Sequence, residues 1–440
     1  MGEILTGSNR ATIVAMIVCV AAVPALADDR FEEVPIDYHN TKAENAVSRL
    51  QQHIEDGSIE LEFDEQFGYL LSVLDQLDVP KESQVLVFSK TSFQHRYISP
   101  TAPRAVYFND DTYIGTVQHG DVIELSAADP NLGTVFYTLP QYETKNPEFV
   151  RQSHNCLQCH ASTLTRGVPG HLVRSVYTDA DGFPILKVGS HLTTQDSPFD
   201  ERWGGWYVTG IHGASRHLGN VIATETQRAA NIDMDAGANR TTLDKRVDAD
   251  QYLTAHSDIV ALMVLEHQTG MHNLLTRADF ETRMALHRQA VTDEIFERDP
   301  NTLSESTQRI ITNIGDKLIA YMLYVDEAEL EDPVTGTSGF VERFAEQGPK
   351  DSEGRSLREF DLKSRMFKYP LSYLIYSPQF DGLPTQMKDY VYKHLWDILT
   401  GVVDTDDYLH LTNAKSRAIR QILTETKSGL PSYWKMGAAL

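Results

Sequence analysis

Cysteine is almost absent from this chain: 440 residues contain three, and Cys19 falls inside an apolar run at the N-terminus. Two remain beyond that run, so no disulfide framework can hold the fold together. A basic surplus is missing too. Lys and Arg number 39 against 62 Asp and Glu, a formal net charge of −23, which excludes nucleic acid as a partner, because there is no cationic excess to displace counterions from phosphate. Such a surface attracts basic proteins and repels polyanions and anionic membranes, or it simply keeps the protein soluble. Past residue 27 no apolar run is long enough to cross a bilayer. There is no internal repeat, no glycine-rich phosphate loop after a strand, and no zinc-protease spacing, since EHQTGMH (266–272) is not H-E-x-x-H.

What is present begins with a targeting signature. Arg10, the apolar run ATIVAMIVCVAAV, Pro24 and then Ala25-Leu26-Ala27 follow the charged, apolar, small-residue order of a secretory signal peptide. Cleavage is expected before Asp28, with a membrane anchor as the alternative. The mature protein is then expected to be periplasmic or secreted, with no stable membrane span.

Residues 28–240 read as a β-rich region after two short helices. KAENAVSRLQQHI (42–54) and DEQFGYLLSVLDQL (64–77) have helical apolar spacing. Runs at 85–88, 105–108, 112–117, 121–125 and 133–139 are β-branched or aromatic and are punctuated by Pro, Asn-Asp and His-Gly, which predicts an antiparallel meander. LVRSVYT and FPILKV flank Asp179-Ala180-Asp181-Gly182 as a hairpin, and GWYVTGI (205–211) reads as a further strand. Residues 241–440 switch to a 3.6-residue period, with amphipathic helices expected from Ser257 onward, at 306–325, at 385–399 and at 411–425. The expected class is α+β, with an antiparallel N-terminal part followed by a helical C-terminal part that either shares its site or stands as a separate domain.

The two remaining cysteines stand together in VRQSHNCLQCHASTLTRG (150–167), as Cys156-x-x-Cys159-His160. With three cysteines and 16 histidines in the whole chain, coincidence is a poor explanation. The spacing suits covalent haem: two thiols on one helical turn can bond the vinyl-derived carbons, and the next residue turns an imidazole to the iron. Two alternatives stay open. A C-x-x-C pair can be a thiol–disulfide centre, although that normally opens a helix after a strand in a βαβ unit. Structural zinc would need a fourth ligand from a distant histidine.

At these residues the chain resembles the c-type cytochromes, with Cys156 and Cys159 matching the thioether cysteines and His160 the proximal iron ligand. The longer strings FVRQSHNCLQCH and ERWGGWYVTGIHG also resemble a group of large exported monohaem bacterial proteins. The resemblance implies one haem c with its iron. It does not imply the small all-helical cytochrome fold, because the motif here lies deep in the chain among strands.

The sixth iron position separates a carrier from a catalyst. His267 centres the apolar face of the helix beginning near Ser257, between Met263, Leu274, Val260 and Met271, and is the first candidate distal ligand. His212 and His217, in a glycine-bearing loop, are rivals, as are His154 and His171 beside the motif. Trp203, Trp206 and Tyr207 could pack on a porphyrin face or in an ordinary core, and Arg151, Arg166 and Arg174 could meet haem propionates. Three functions remain in view: an exported monohaem cytochrome passing electrons to a redox partner protein, a basic one being favoured by the charge; a haem enzyme with an open sixth site, peroxidase-like or acting on a small molecule; and a haem-based sensor or binding module.

Overall fold

A computed structural model describes residues 29–224, 231–243, 246–403 and 406–436. The expected signal peptide, 1–27, lies outside the described residues. The architecture is α+β: a six-stranded antiparallel sheet in the N-terminal half, then helices.

Two helices precede the sheet. α1 (Ala46–Glu55) starts at Asn45, whose side chain accepts from Ser48 N while the Ser48 hydroxyl answers Asn45 N, a reciprocal cap that fixes the first turn. α2 spans Leu70–Gln76. The meander follows as β1 (Val85–Val87), β2 (Arg104–Phe108), β3 (Thr112–Thr116), β4 (Val122–Asp129), β5 (Gly133–Pro140) and β6 (Val150–Arg151), each strand paired with the next. Alternation assigns one face to Leu86, Tyr107, Ile114, Ile123, Leu125, Val135 and Leu139, which share a core with Val47 and Leu50 of α1 and Leu70, Val73 and Leu74 of α2.

The opposite face divides into two cross-strand rows. Phe108, Tyr113, Ser126 and Phe136 form one row in register; all four are buried. The next row, Val106, Gly115, Glu124, Thr138 and Val150, runs to the sheet edge. There Val150 is 41% exposed. The short turn α3 (Leu157–His160) follows β6, and a two-stranded ribbon pairs β7 (Arg174–Val176) with β8 (Ser190–Leu192).

The helical half is α4 (Ile259–Phe296), α5 (Glu305–Met322), α6 (Phe340–Glu346), α7 (Pro378–Asp381), α8 (Thr385–Leu399), α9 (Asn413–Thr426) and α10 (Ser432–Met436). The two halves are not separate bodies, because Phe108 and Tyr113 of the sheet belong to one hydrophobic core with α4, α5, α8 and α9. Among the described residues no helix is long and apolar enough to cross a membrane.

Three expectations are corrected. FPILKV is not the second strand of the hairpin: the ribbon closes through Ser190–Leu192 instead, leaving Thr178 and Pro184 as an isolated bridge. GWYVTGI forms no strand either. It is wedged between the layers, touching Val87, Asp258 and Thr335 through single bridges at Trp206, Thr209 and Ile211. Finally, the first half of α4 is not amphipathic. Every residue from Ile259 to Thr276 is buried, including His272, which the wheel places towards the polar side.

α4 is held at its start by a single carboxylate. Buried Asp258 accepts Val260 N at 2.8 Å and Ala261 N at 3.2 Å through Oδ1, and Thr337 N at 2.6 Å and Ser338 N at 2.8 Å through Oδ2. Loss of a cap costs about 0.5–2 kcal/mol, and stranding further buried amides adds about 1–3 kcal/mol. Asp258→Ala should therefore destabilise the fold by about 2–4 kcal/mol in urea unfolding, and Asp258→Asn should recover only part of that loss, because its amide nitrogen would face donors at one end; an alanine variant within about 0.5 kcal/mol of the parent would refute this account of the cap.

Candidate functional site

The motif occupies a single helical turn set against the sheet edge. After β6, Gln152 N donates to Phe136 O at 2.8 Å and Gln152 Nε2 to Thr138 Oγ1 at 3.0 Å, so the chain leaves along β5. The turn is built by His160 N to Cys156 O, 2.9 Å, and Ala161 N to Leu157 O, 2.9 Å. Buried Leu157 anchors it to the core. Residues three and four apart share a helix face, so Cys156, Cys159 and His160 are presented together. A capping box between Ser162 and Thr165 then opens a 3-10 turn over Thr163–Thr165, and Arg166 at φ 61° and Gly167 at φ 76° reverse the chain.

His160 is oriented before anything binds it. Its Nδ1 lies 3.0 Å from Gly170 O. A carbonyl only accepts, so Nδ1 carries the proton and Nε2 keeps its lone pair for a metal. Burial holds the imidazole below its ordinary pKa, which keeps it neutral. Phe136 packs against it at 4.9 Å between ring centroids.

The carbonyl that orients His160 is itself held by the helical half. Asn273 on α4 accepts His171 N through Oδ1 at 2.9 Å and donates Nδ2 to His171 O at 2.6 Å. Gly170 allows this approach, since a Cβ there would overlap the Asn273 side-chain oxygen. The His171 ring completes the lock, with Ser126 Oγ at 2.8 Å and Thr134 Oγ1 at 3.2 Å from its two nitrogens.

The two cysteines differ in surroundings. Cys159 is exposed and Cys156 partly buried, and they are not joined to each other. Burial pushes the Cys156 thiol up to about 11, with Glu124 adding to the rise and Arg104 opposing it. A nucleophilic C-x-x-C centre needs the reverse, a thiol pulled down towards neutrality. The antiparallel edge strand before the turn is also not the βαβ setting of a thiol–disulfide enzyme. Among the described residues no three His, Cys, Asp or Glu side chains converge as a metal-holding group, so the fourth ligand that a zinc site requires is not assembled around the motif. What the turn offers is one imidazole nitrogen and two thiols beside the row Glu124, Thr138 and Val150, a strip of sheet that opens to solvent at Val150.

The histidines considered for the sixth position point elsewhere. His267 is fully buried, with Gln195 Oε1 2.6 Å from Nδ1 and Ser372 Oγ 2.8 Å from Nε2, and it is stacked between Tyr321 and Tyr324. It lies six residues from Asn273, about 120° around the helix from the side that meets the motif loop. It is placed as a core histidine with satisfied nitrogens. His212 likewise has Ser215 O at Nδ1 and Asn239 N at Nε2, both at 2.9 Å. His217 is 1% exposed, with no hydrogen-bond partner for either ring nitrogen among the described residues; it packs against Trp203 and His212 rather than the motif. His154 is exposed and meets His39 edge-to-face, with 4.9 Å between ring centroids.

Other expected contributors are also structural. Trp203 is buried, Trp206 Nε1 donates to Arg174 O, and Tyr207 Oη donates to Pro100 O. Arg151 donates to Thr41 O and Tyr38 O on the far side of the sheet, and Arg174 Nε reaches Ser190 Oγ. The residues that do surround the motif, namely Arg104, Glu124, Phe136, Gly170 and Asn273, carry no local sequence signal and are brought in by strand register and by α4. No protein-family model, curated protein or solved structure matches the chain.

In protein made without any attached cofactor, iodoacetamide should label Cys159 first. Labelling of Cys156 should lag at least about tenfold at pH 8 and climb as pH rises towards 11, because a pKa displaced by about two units leaves on the order of a hundredth of the ordinary thiolate. Peptide mapping of the label over time checks this, and equal rates at the two sites would count against the buried setting of Cys156.

Proposed function

We propose that this chain is a monohaem c-type cytochrome, exported and working in electron transfer. Cys156 and Cys159 hold the haem covalently and His160 is its proximal iron ligand. The observation that carries the reading is the preset imidazole: on a turn that also presents two thiols, His160 has Nδ1 committed to Gly170 O and Nε2 left over. When bound, the haem supplies an iron that changes oxidation state by one electron. The protein's own work is to orient His160 through Gly170, to clamp that loop through Asn273, and to bed the ring beside Glu124, Thr138 and Val150. The net charge of −23 favours a basic redox partner through long-range attraction.

A second reading has its own support. His267 and His212 are engaged by protein partners at both ring nitrogens, and His217 packs away from the turn. That favours an iron with an open sixth position and hence a haem enzyme or a haem-based sensor. The chain's own residues near the motif that could act on a ligand are Arg104 and Glu124.

Expression with signal peptide and c-type maturation machinery tests both readings. The purified protein should be red, with the mass of the processed chain plus one haem that acid denaturation does not remove. Cys156→Ala with Cys159→Ala should abolish the adduct. A reduced spectrum unmoved by carbon monoxide favours transfer, and a carbon monoxide shift favours the open site. His267→Ala should leave that spectrum in place while costing about 2–3 kcal/mol of stability, as expected for a buried hydrogen-bonded group. Colourless, unmodified protein from a competent host would overturn the haem assignment.

A further inference from the structure

Beside the cysteine turn lies a charged pair largely withdrawn from solvent. Arg104 on β2 reaches over β3 to Glu124 on β4, Nη2 to Oε2 at 2.7 Å. Gly115 makes the crossing possible. It sits between the two strands, in register with Glu124, and a Cβ there would overlap the guanidinium. Glu124 is further fixed by Ser92 Oγ and Gln94 Nε2, each donating to Oε1 at 3.1 Å. The two side chains are only 23% and 17% exposed.

A withdrawn pair of this kind is a poor device for stability, since apolar residues of similar volume commonly serve as well or better. Its low exposure also means that salt screens it little, so its field persists locally. That field reaches the motif. After burial, Glu124 is the main influence raising the Cys156 thiol, with Arg104 opposing it. Strand register places the pair there independently: Glu124 stands opposite Thr138, whose Oγ1 accepts Gln152 Nε2 at 3.0 Å four residues before Cys156, and Phe136, on the same face of β5, packs on the His160 ring at 4.9 Å.

We propose that Arg104 and Glu124 are tuning residues for the iron held at His160, with Arg104 raising its midpoint potential and Glu124 lowering it. The inference rests on the haem reading above. A fixed cation disfavours the oxidised site, which carries one more positive charge than the reduced site, and a fixed anion favours it. Gly115 is the element of the sheet that lets both charges sit on the same strip.

The test is a potentiometric titration of the full-length haem-bearing protein, stepped between dithionite and ferricyanide with mediators, with the visible spectrum recorded throughout. Arg104→Gln should fall below the parent potential and Glu124→Gln should rise above it. Arg104→Lys, which keeps the charge and changes the shape, should stay near the parent, and the double glutamine variant should lie between the singles. Potentials of both single glutamine variants at the parent value, or displaced in the same direction, would overturn the proposal. Should Arg104→Gln leave Glu124 stranded and misfold, Glu124→Gln, close in shape and still an acceptor, reads the sign alone. Parent protein without haem would instead overturn the reading on which the inference rests.

Discussion

The structure depends on one clamp: two hydrogen bonds from the side-chain amide of Asn273 to the backbone of His171. They tie the middle of a long buried helix to the loop that closes behind the cysteine turn. Gly170 O is thereby fixed, and with it the His160 ring. An amide suits the task because it accepts from the N–H and donates to the carbonyl of the same residue, holding a loop without any repeating secondary structure. The motif is local in sequence, yet its orientation is set by a residue from the other half of the chain.

That arrangement explains what could be read in advance and what could not. β1 to β5 were legible because β-branched and aromatic runs with turn residues between them have few other solutions. The motif was legible as three residues on one turn. The β7–β8 pairing was not, because FPILKV carries the right residue types while the chain closes a longer excursion through Ser190–Leu192. GWYVTGI misled for a related reason: its apolar residues are buried by wedging between layers, which requires burial but no ladder.

The distal histidine shows the limit most clearly. Helical periodicity puts His267 at the centre of an apolar face, where an imidazole needs a partner. Its partners, Gln195 and Ser372, come from segments 72 and 105 residues away in sequence, and no local pattern announces them. α4 is buried on all sides over its first half, so its polar residues had to find partners in several directions at once. Arg104 and Glu124 were invisible for the opposite reason. Each looks like one more surface charge until the register of three strands and the missing side chain at Gly115 bring them together.

The clamp has a temporal consequence. Synthesis runs from N- to C-terminus, so the cysteine turn emerges before α4 exists. At about 5–20 residues per second, the stretch between His160 and Asn273 takes several seconds or more to appear. Throughout that interval the loop behind the turn lacks its latch, and the side chains of the turn stay open to approach. The helix made later then supplies the latch, so the final setting of the His160 ring waits for a residue built more than a hundred positions downstream.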